Sequence, residues 1–191
     1  MTAKEKILEA AREAFAQHGF EGVRIDALVK QAGVNKATFY YHYKSKQEVF
    51  EKVMQSSFNA LEQKIDLRLS EYSAPEDKIA CFIDLMFSRQ RRDVLLIIRE
   101  VISGGDNLTD ELLLIMSGIQ ERLHQILKEG KLKKIFKHDD PTIAFHLIIG
   151  IADFYIMGEL VRQRCEQLCK LDETRFIDTI KTLVIDTLKR G

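Results

Sequence analysis

The chain has little of what breaks helices and little of what cross-links small domains. Two prolines and ten glycines in 191 residues leave long stretches uninterrupted, and this points to an all-α chain. Tryptophan is absent and cysteine occurs only as Cys81, Cys165 and Cys169. Three thiols, behind an N-terminus (MTAKEKILEAAREAF) with no apolar leader, argue against a disulfide framework and lead us to expect a cytoplasmic protein. There is no excess charge of either sign, with 29 basic against 29 acidic residues. Total charge therefore says nothing about nucleic acid, and only its distribution can. The longest apolar run, residues 142–161, is interrupted by His146, Asp153 and Glu159. An acidic group in lipid costs roughly 2.5–3.5 kcal/mol, so a buried helix is expected there and no membrane span. No phosphate-binding glycine loop, nucleophile elbow or His-Glu-x-x-His occurs, so no enzymatic activity, cofactor or metal is expected.

What is present is 46% hydrophobic and 30% charged, the balance of a globular chain. Helix starts are legible. Thr2/Glu5, Ser45/Glu48 and Ser73/Glu76 have capping-box spacing. Asp140 before Pro141 reads as an N-cap followed by a first-turn proline, and Asp172 can cap a last helix. About nine helices are expected, over residues 3–18, 25–32, 35–42, 46–69, 76–90, 93–103, 109–129, 141–167 and 173–189. The best strand candidate, VLLII at 94–98, is flanked by helical sequence. The chain divides into a small three-helix unit, 1–46, and a larger helical body, 47–191, with no flexible linker between them.

Residues 25–43, IDALVKQAGVNKATFYYHY, carry the clearest chemistry. Leu28, Val29 and Ala32 share a face of one short helix. Gly33 stands where the chain must turn with positive φ, and Val34 follows it toward the core. Phe39 and Tyr43, four apart, form the buried face of a second short helix. Asn35, Lys36, Thr38, Tyr40, Tyr41 and His42 are left outside. Helix, glycine turn and a second helix with a polar outer half make a helix-turn-helix, whose second helix can enter a DNA major groove. There Asn, Thr and Lys can reach base edges, and Lys can also reach phosphate. Between Arg24 and Lys46 five basic residues face one acidic residue, Asp26, and phosphate binding needs just such a local excess. Tyrosine hydroxyls supply further donors. Lys46 sits in the first turn of the next helix, where free N–H groups favour an anion. The same aromatic knuckle also fits a purely structural unit.

The stretch RIDALVKQAGVNKATFYYHYKSKQEVF, residues 24–50, resembles the TetR family of bacterial transcription regulators, and the likeness extends over about 7–50. Gly33, Val34, Thr38, Tyr40, His42, Ser45 and Lys46 fall at the family's spacing. Four positions depart from it: Arg24 replaces a capping threonine, Val29 an alanine, Ala37 a frequent glycine and Tyr43 a phenylalanine. The resemblance implies a cytoplasmic, ligand-responsive regulator, a repressor, that binds a palindromic site as a homodimer. Its DNA contacts would come from Arg24, Asn35, Lys36, Thr38, Tyr40, Tyr41, His42 and Lys46.

The body holds 21 basic and 24 acidic residues, so it offers no second nucleic-acid surface. The helix from Pro141 is apolar on more than one face, and the last helix carries Phe176, Ile177, Ile180, Leu183, Val184 and Leu188. Two such helices can pair with their copies about a two-fold axis, or be buried in one large core. Phe82, Met86, Phe87, Met116, Ile119, Phe145 and Tyr155 can surround a small, apolar effector, with His124 and His146 as polar neighbours; each fits plain core as well. Cys165 and Cys169, at i and i+4, can sense oxidants, but lack further ligands in sequence for a metal. His138–Asp140 reads as a loop and cap. A second reading keeps the N-terminal helices structural and makes the chain an all-helical carrier or enzyme for small molecules.

Overall fold

A computed structural model describes residues 1–137, 140–164 and 171–190. Among them the chain is all-α, with no strand. Its helices are α1 (Ala3–Gly22), α2 (Ile25–Ala32), α3 (Lys36–His42), α4 (Lys46–Leu69), α5 (Pro75–Phe87), α6 (Arg91–Ile102), α7 (Asp110–Leu132), α8 (Pro141–Met157), α9 (Glu159–Arg164) and α10 (Glu173–Lys189). No helix among the described residues is long and apolar enough to cross a membrane.

The caps show why the helices begin where they do. Thr2 and Glu5 form the full reciprocal box, and Asp140 and Asp172 accept from the first free N–H groups of α8 and α10. Two expectations fail in detail. At α4 the Glu48 N–H donates to Ser45 Oγ at 3.1 Å, but the Glu48 carboxylate accepts from the Lys44 N–H, one residue earlier than a box requires. At α5 the N-cap is Ala74 and not Ser73, with no side-chain cap; Pro75 at the first position leaves one fewer free N–H group in the first turn.

Two further helices differ from their expected course. Gly19 does not end α1 but breaks it, with φ 70° and ψ 174°, so that Phe20 turns back to stack on Phe15 and meet Phe50 edge-on. The single helix expected over 141–167 is, over its described residues 141–164, two pieces, α8 and α9. The Arg162 guanidinium folds back to donate to the Tyr155 carbonyl at 2.7 Å, which satisfies one of the free carbonyls at the end of α8. His138, Cys165 and Cys169 lie outside the described residues.

The chain forms two compact units. The first comprises Met1–Ala60 and Gln90–Ile115. In it α1 packs on α2, α3 and α6, and α2 on α3. Ile7, Phe15, Leu28, Phe39 and Phe50 are buried at its centre, each worth about 1.5–3 kcal/mol of transfer free energy. Arg12 ties α1 to α6 through Asp93 at 2.8 Å. Glu100, a buried carboxylate on α6, accepts from the Asn107 backbone N–H at 2.9 Å and the Asn107 amide at 3.0 Å.

The second unit comprises Leu61–Arg89 and the described residues of Met116–Gly191. Here α5 packs on both α8 and α10 around Ile79, Phe82, Ile83, Met86, Ile148, Ala152 and Ile180. Lys181 to Asp84 at 2.7 Å and Lys189 to Glu76 at 3.1 Å fasten α10 to α5. Arg122 of α7 forks onto Asp66 of α4 with bonds of 2.6 and 2.7 Å and also meets Glu62 at 2.8 Å. The guanidinium bonds hold the Asp66 carboxyl below its ordinary range.

Candidate nucleic-acid interface

The turn between α2 and α3 is built on Gly33, which lies in the left-handed region at φ 67° and ψ 34°. Its N–H and that of Val34 close the end of α2 onto Lys30 and Val29 carbonyls, the glycine-terminated ending that lets a second helix start at once. Asn35 starts it: its Oδ1 accepts from the Thr38 N–H at 2.8 Å and the Thr38 hydroxyl at 3.0 Å. Phe39 and Tyr43 are buried, as their spacing predicts. By contrast Tyr40 is 52% and Tyr41 85% exposed. Arg24, Lys30, Lys36 and Lys44 are exposed too, so hydroxyls and cations share the solvent side of this short pair of helices.

Several contacts were not legible in the sequence. Asn35 uses its carbonyl oxygen as a cap and keeps its NH2 group for an outside acceptor. Arg24 stands at the N-cap of α2 without a side-chain cap bond, in keeping with the loss of threonine there. Lys46 donates to the Phe20 carbonyl at 2.9 Å and lies 4.1 Å above the Phe20 ring; it ties the end of α1 to the start of α4, and a phosphate would meet only its other N–H groups. Lys36 pairs with Asp26 at 2.6 Å. His42 is half-buried, its ring edge-on to Tyr41.

The Tyr43 hydroxyl is buried and finds no hydrogen-bond partner among the described residues. Burial, aided by the charge of Glu48, pushes its pKa up to about 12. A phenylalanine would fill the same place without the stranded hydroxyl.

The residues expected to surround an effector are divided by the second unit. Phe82, Met86, Phe87 and Ile119 are core, Met116 and Phe145 half-buried, and His124 and His146 exposed. His146 Nδ1 bonds the Thr142 carbonyl at 2.7 Å, and His124 lies 3.6 Å from Glu121. Phe87 and Tyr155 do meet, with ring centroids 5.4 Å apart, and Tyr155 stacks on Phe176. Tyr155 also lines a cavity of about 380 Å³ with Ile151, Phe154, Arg162, Leu171 and Phe176. Arg162, which sequence reasoning passed over, lies 4.0 Å over the Tyr155 ring. A second, apolar groove of about 360 Å³ runs between α8 and α10, with Ile143, Leu147, Ile151, Leu183 and Val184 among its walls.

With this geometry established, comparison with known proteins assigns the family. Residues 7–53 match the family model described as bacterial regulatory proteins, tetR family. The biofilm operon negative transcriptional regulator IcaR of Staphylococcus epidermidis is 27% identical over 154 residues, 79% of this chain and 75% of that protein. The transcriptional repressor NicS of Pseudomonas putida is 27% identical over 158 residues, 80% of this chain and 74% of that protein. Among solved structures, a tetR-family regulatory protein from Rhodococcus RHA1 shares the fold with a TM-score of 0.80 at 15% identity, covering 100% of this chain and 99% of that one. The regulator FadR from Bacillus subtilis, solved in complex with stearoyl-CoA, shares it at 0.74 and 22% identity, covering 96% and 98%. The chain, with its glycine-turned helix pair, belongs to the TetR family and is a transcription regulator.

Proposed function

We propose that the protein is a ligand-responsive repressor that binds a two-fold operator as a homodimer, residues 1–46 carrying the DNA contacts. The observation that carries the reading is α3 itself: two aromatic side chains pin it from below while Lys36, Tyr40 and Tyr41 stand out from the other side. In the major groove Asn35, Lys36 and Thr38 would meet base edges. Arg24, Tyr40, Tyr41, His42 and Lys46 would hold phosphates. The names of IcaR, a negative regulator, and NicS, a repressor, favour repression as the sign.

Dimerisation through α8 and α10 is supported by Leu147 and Leu183, apolar, exposed and both on the walls of the apolar groove. A second copy covering that groove would place two α3 helices about a two-fold axis, as a palindromic site requires. For the effector we propose a largely apolar small molecule held in the second unit. FadR of Bacillus subtilis holds an acyl-CoA, and here the cavity beside Tyr155 and Arg162 joins aromatic walls to one cation. Such a ligand regulates only by binding one state of the dimer better than the other.

The test is binding to the DNA upstream of the protein's own gene between 50 and 200 mM salt, with wild type and Tyr40→Ala/Tyr41→Ala. The wild type should weaken by about a thousandfold over that range if some six phosphates are contacted, and the variant should bind at least about tenfold less tightly at either salt (about 1.4 kcal/mol). Binding insensitive to both salt and substitution would leave the helix pair as structure alone.

A further inference from the structure

Asp26 is the one acidic residue between Arg24 and Lys46, and it faces the recognition helix. Its Oδ1 lies 2.6 Å from Lys36 Nζ, with the two side chains 71% and 58% exposed. Asp26 belongs to the first turn of α2 and Lys36 opens α3, so the Gly33 turn brings together residues that no local spacing rule would pair. Lys36 stands at the positive end of the α3 dipole, an unfavourable place for a cation, and the carboxylate offsets this. Asp26 accordingly favours the charged form of Lys36 and raises its pKa. Among the described residues no other cation of this stretch pairs with an acid: Arg24, Lys30 and Lys44 form no ion pair, and Lys46 bonds a carbonyl.

Binding to any duplex, cognate or not, rests on cations that displace counterions from phosphate. A lysine already neutralised by a carboxylate displaces less. Its ammonium carries three N–H donors, so while it stays paired with Asp26 it can still reach the O6 and N7 acceptors of a guanine in register with α3. We propose that Asp26 is a specificity-determining residue, which withholds Lys36 from non-cognate phosphate and so widens the gap between operator and bulk DNA. The proposal rests on the DNA-binding reading above and adds to it the role of one residue.

The experiment compares wild type, Asp26→Asn, Lys36→Met and the double variant. Two probes serve: a duplex selected by the wild type from a random-sequence library, and poly(dA-dT), which has no guanine O6/N7 pair, as non-cognate DNA. Asp26→Asn should steepen the salt dependence on poly(dA-dT) by about 1.8 in the log–log slope, about 0.9 for each protomer of the dimer, and tighten binding there by up to about sixtyfold near 0.1 M salt, the worth of two phosphate contacts. The selected duplex should gain less, so the ratio of the two affinities falls. In the Lys36→Met background Asp26→Asn should leave the slope unchanged. Asp26→Ser, equally neutral and a good residue at a helix start, should repeat the result if charge is the cause. An unchanged slope in Asp26→Asn, or an equal gain without Lys36, overturns the proposal. If the wild type shows no salt-dependent binding at all, the DNA-binding reading falls and this inference with it; binding with an unaltered Asp26→Asn removes the inference alone.

Discussion

The solvent side of α3 and the face shared by α8 and α10 both expose large side chains that a monomer would bury if it could, yet their chemistry differs. On α3 the exposed rings are tyrosines, set among Arg24, Lys30, Lys36 and Lys44. On α8 and α10 the exposed groups are chiefly aliphatic: Ile143, Leu147 and Leu183. A surface of rings with hydroxyls and nearby cations suits a polyanion with stacked bases. A surface of aliphatic groups suits another such surface. Exposed apolar area alone marks a partner; the polar atoms beside it say which kind.

The contrast predicts that each face can be disabled without the other. The largest effect is expected from Leu147→Glu/Leu183→Glu. Both side chains are at least half exposed in the protomer, so the fold should persist. Burying four carboxylates in a dimer should raise its dissociation constant at least about a thousandfold, about 4 kcal/mol. Sedimentation velocity reads this directly, and an unaltered dimer would move the interface elsewhere. Raising salt from 50 to 200 mM should leave the wild-type dimer intact while DNA binding collapses; equal sensitivity would erase the distinction between the faces.

A smaller effect belongs to Glu100, which lines neither face. Glu100→Ala strands the Asn107 N–H that it accepts from and should lower stability by about 2–3 kcal/mol in urea titration, with the dimer mass unchanged. The smallest is a gain. Tyr43→Phe removes a buried hydroxyl without a partner and should stabilise the protein by about 1 kcal/mol. Because the folded pKa of Tyr43 is raised from 10.0 to about 12, the neutral hydroxyl is favoured by folding. That stability is fully present below pH 10 and is lost as pH rises through about 12. Tyr43→Phe should not show this loss, and a wild type that tracks the variant across that window would mean the hydroxyl is hydrated.

Much of the helix pair was open to reading because its rules are local. The positive φ of Gly33, the buried pair at 39 and 43 and the caps at Thr2, Asp140 and Asp172 all follow from residues within four positions of one another. The errors were local rules overridden. Ser73 has capping spacing, but Pro75 already supplies the first helical position; residues 141–167 have helical periodicity, but Arg162 turns back on Tyr155. The effector residues show the opposite limit. Phe82, Met86 and Ile119 have the composition of a pocket and of a core alike, and only packing shows that they are buried.

The sequence by itself determined the class, the helix pair and the outward face of α3, since these depend on periodicity, caps and one glycine. Tertiary structure decided the pairings between distant residues: Asp26 with Lys36, Lys46 with the Phe20 carbonyl, Arg162 over Tyr155 and Glu100 with the Asn107 loop. The physical reason is one of range. Backbone conformation answers to near neighbours, whereas a charge answers to whatever the fold brings within a few ångströms of it, and that distance is not written in the spacing of residues along the chain.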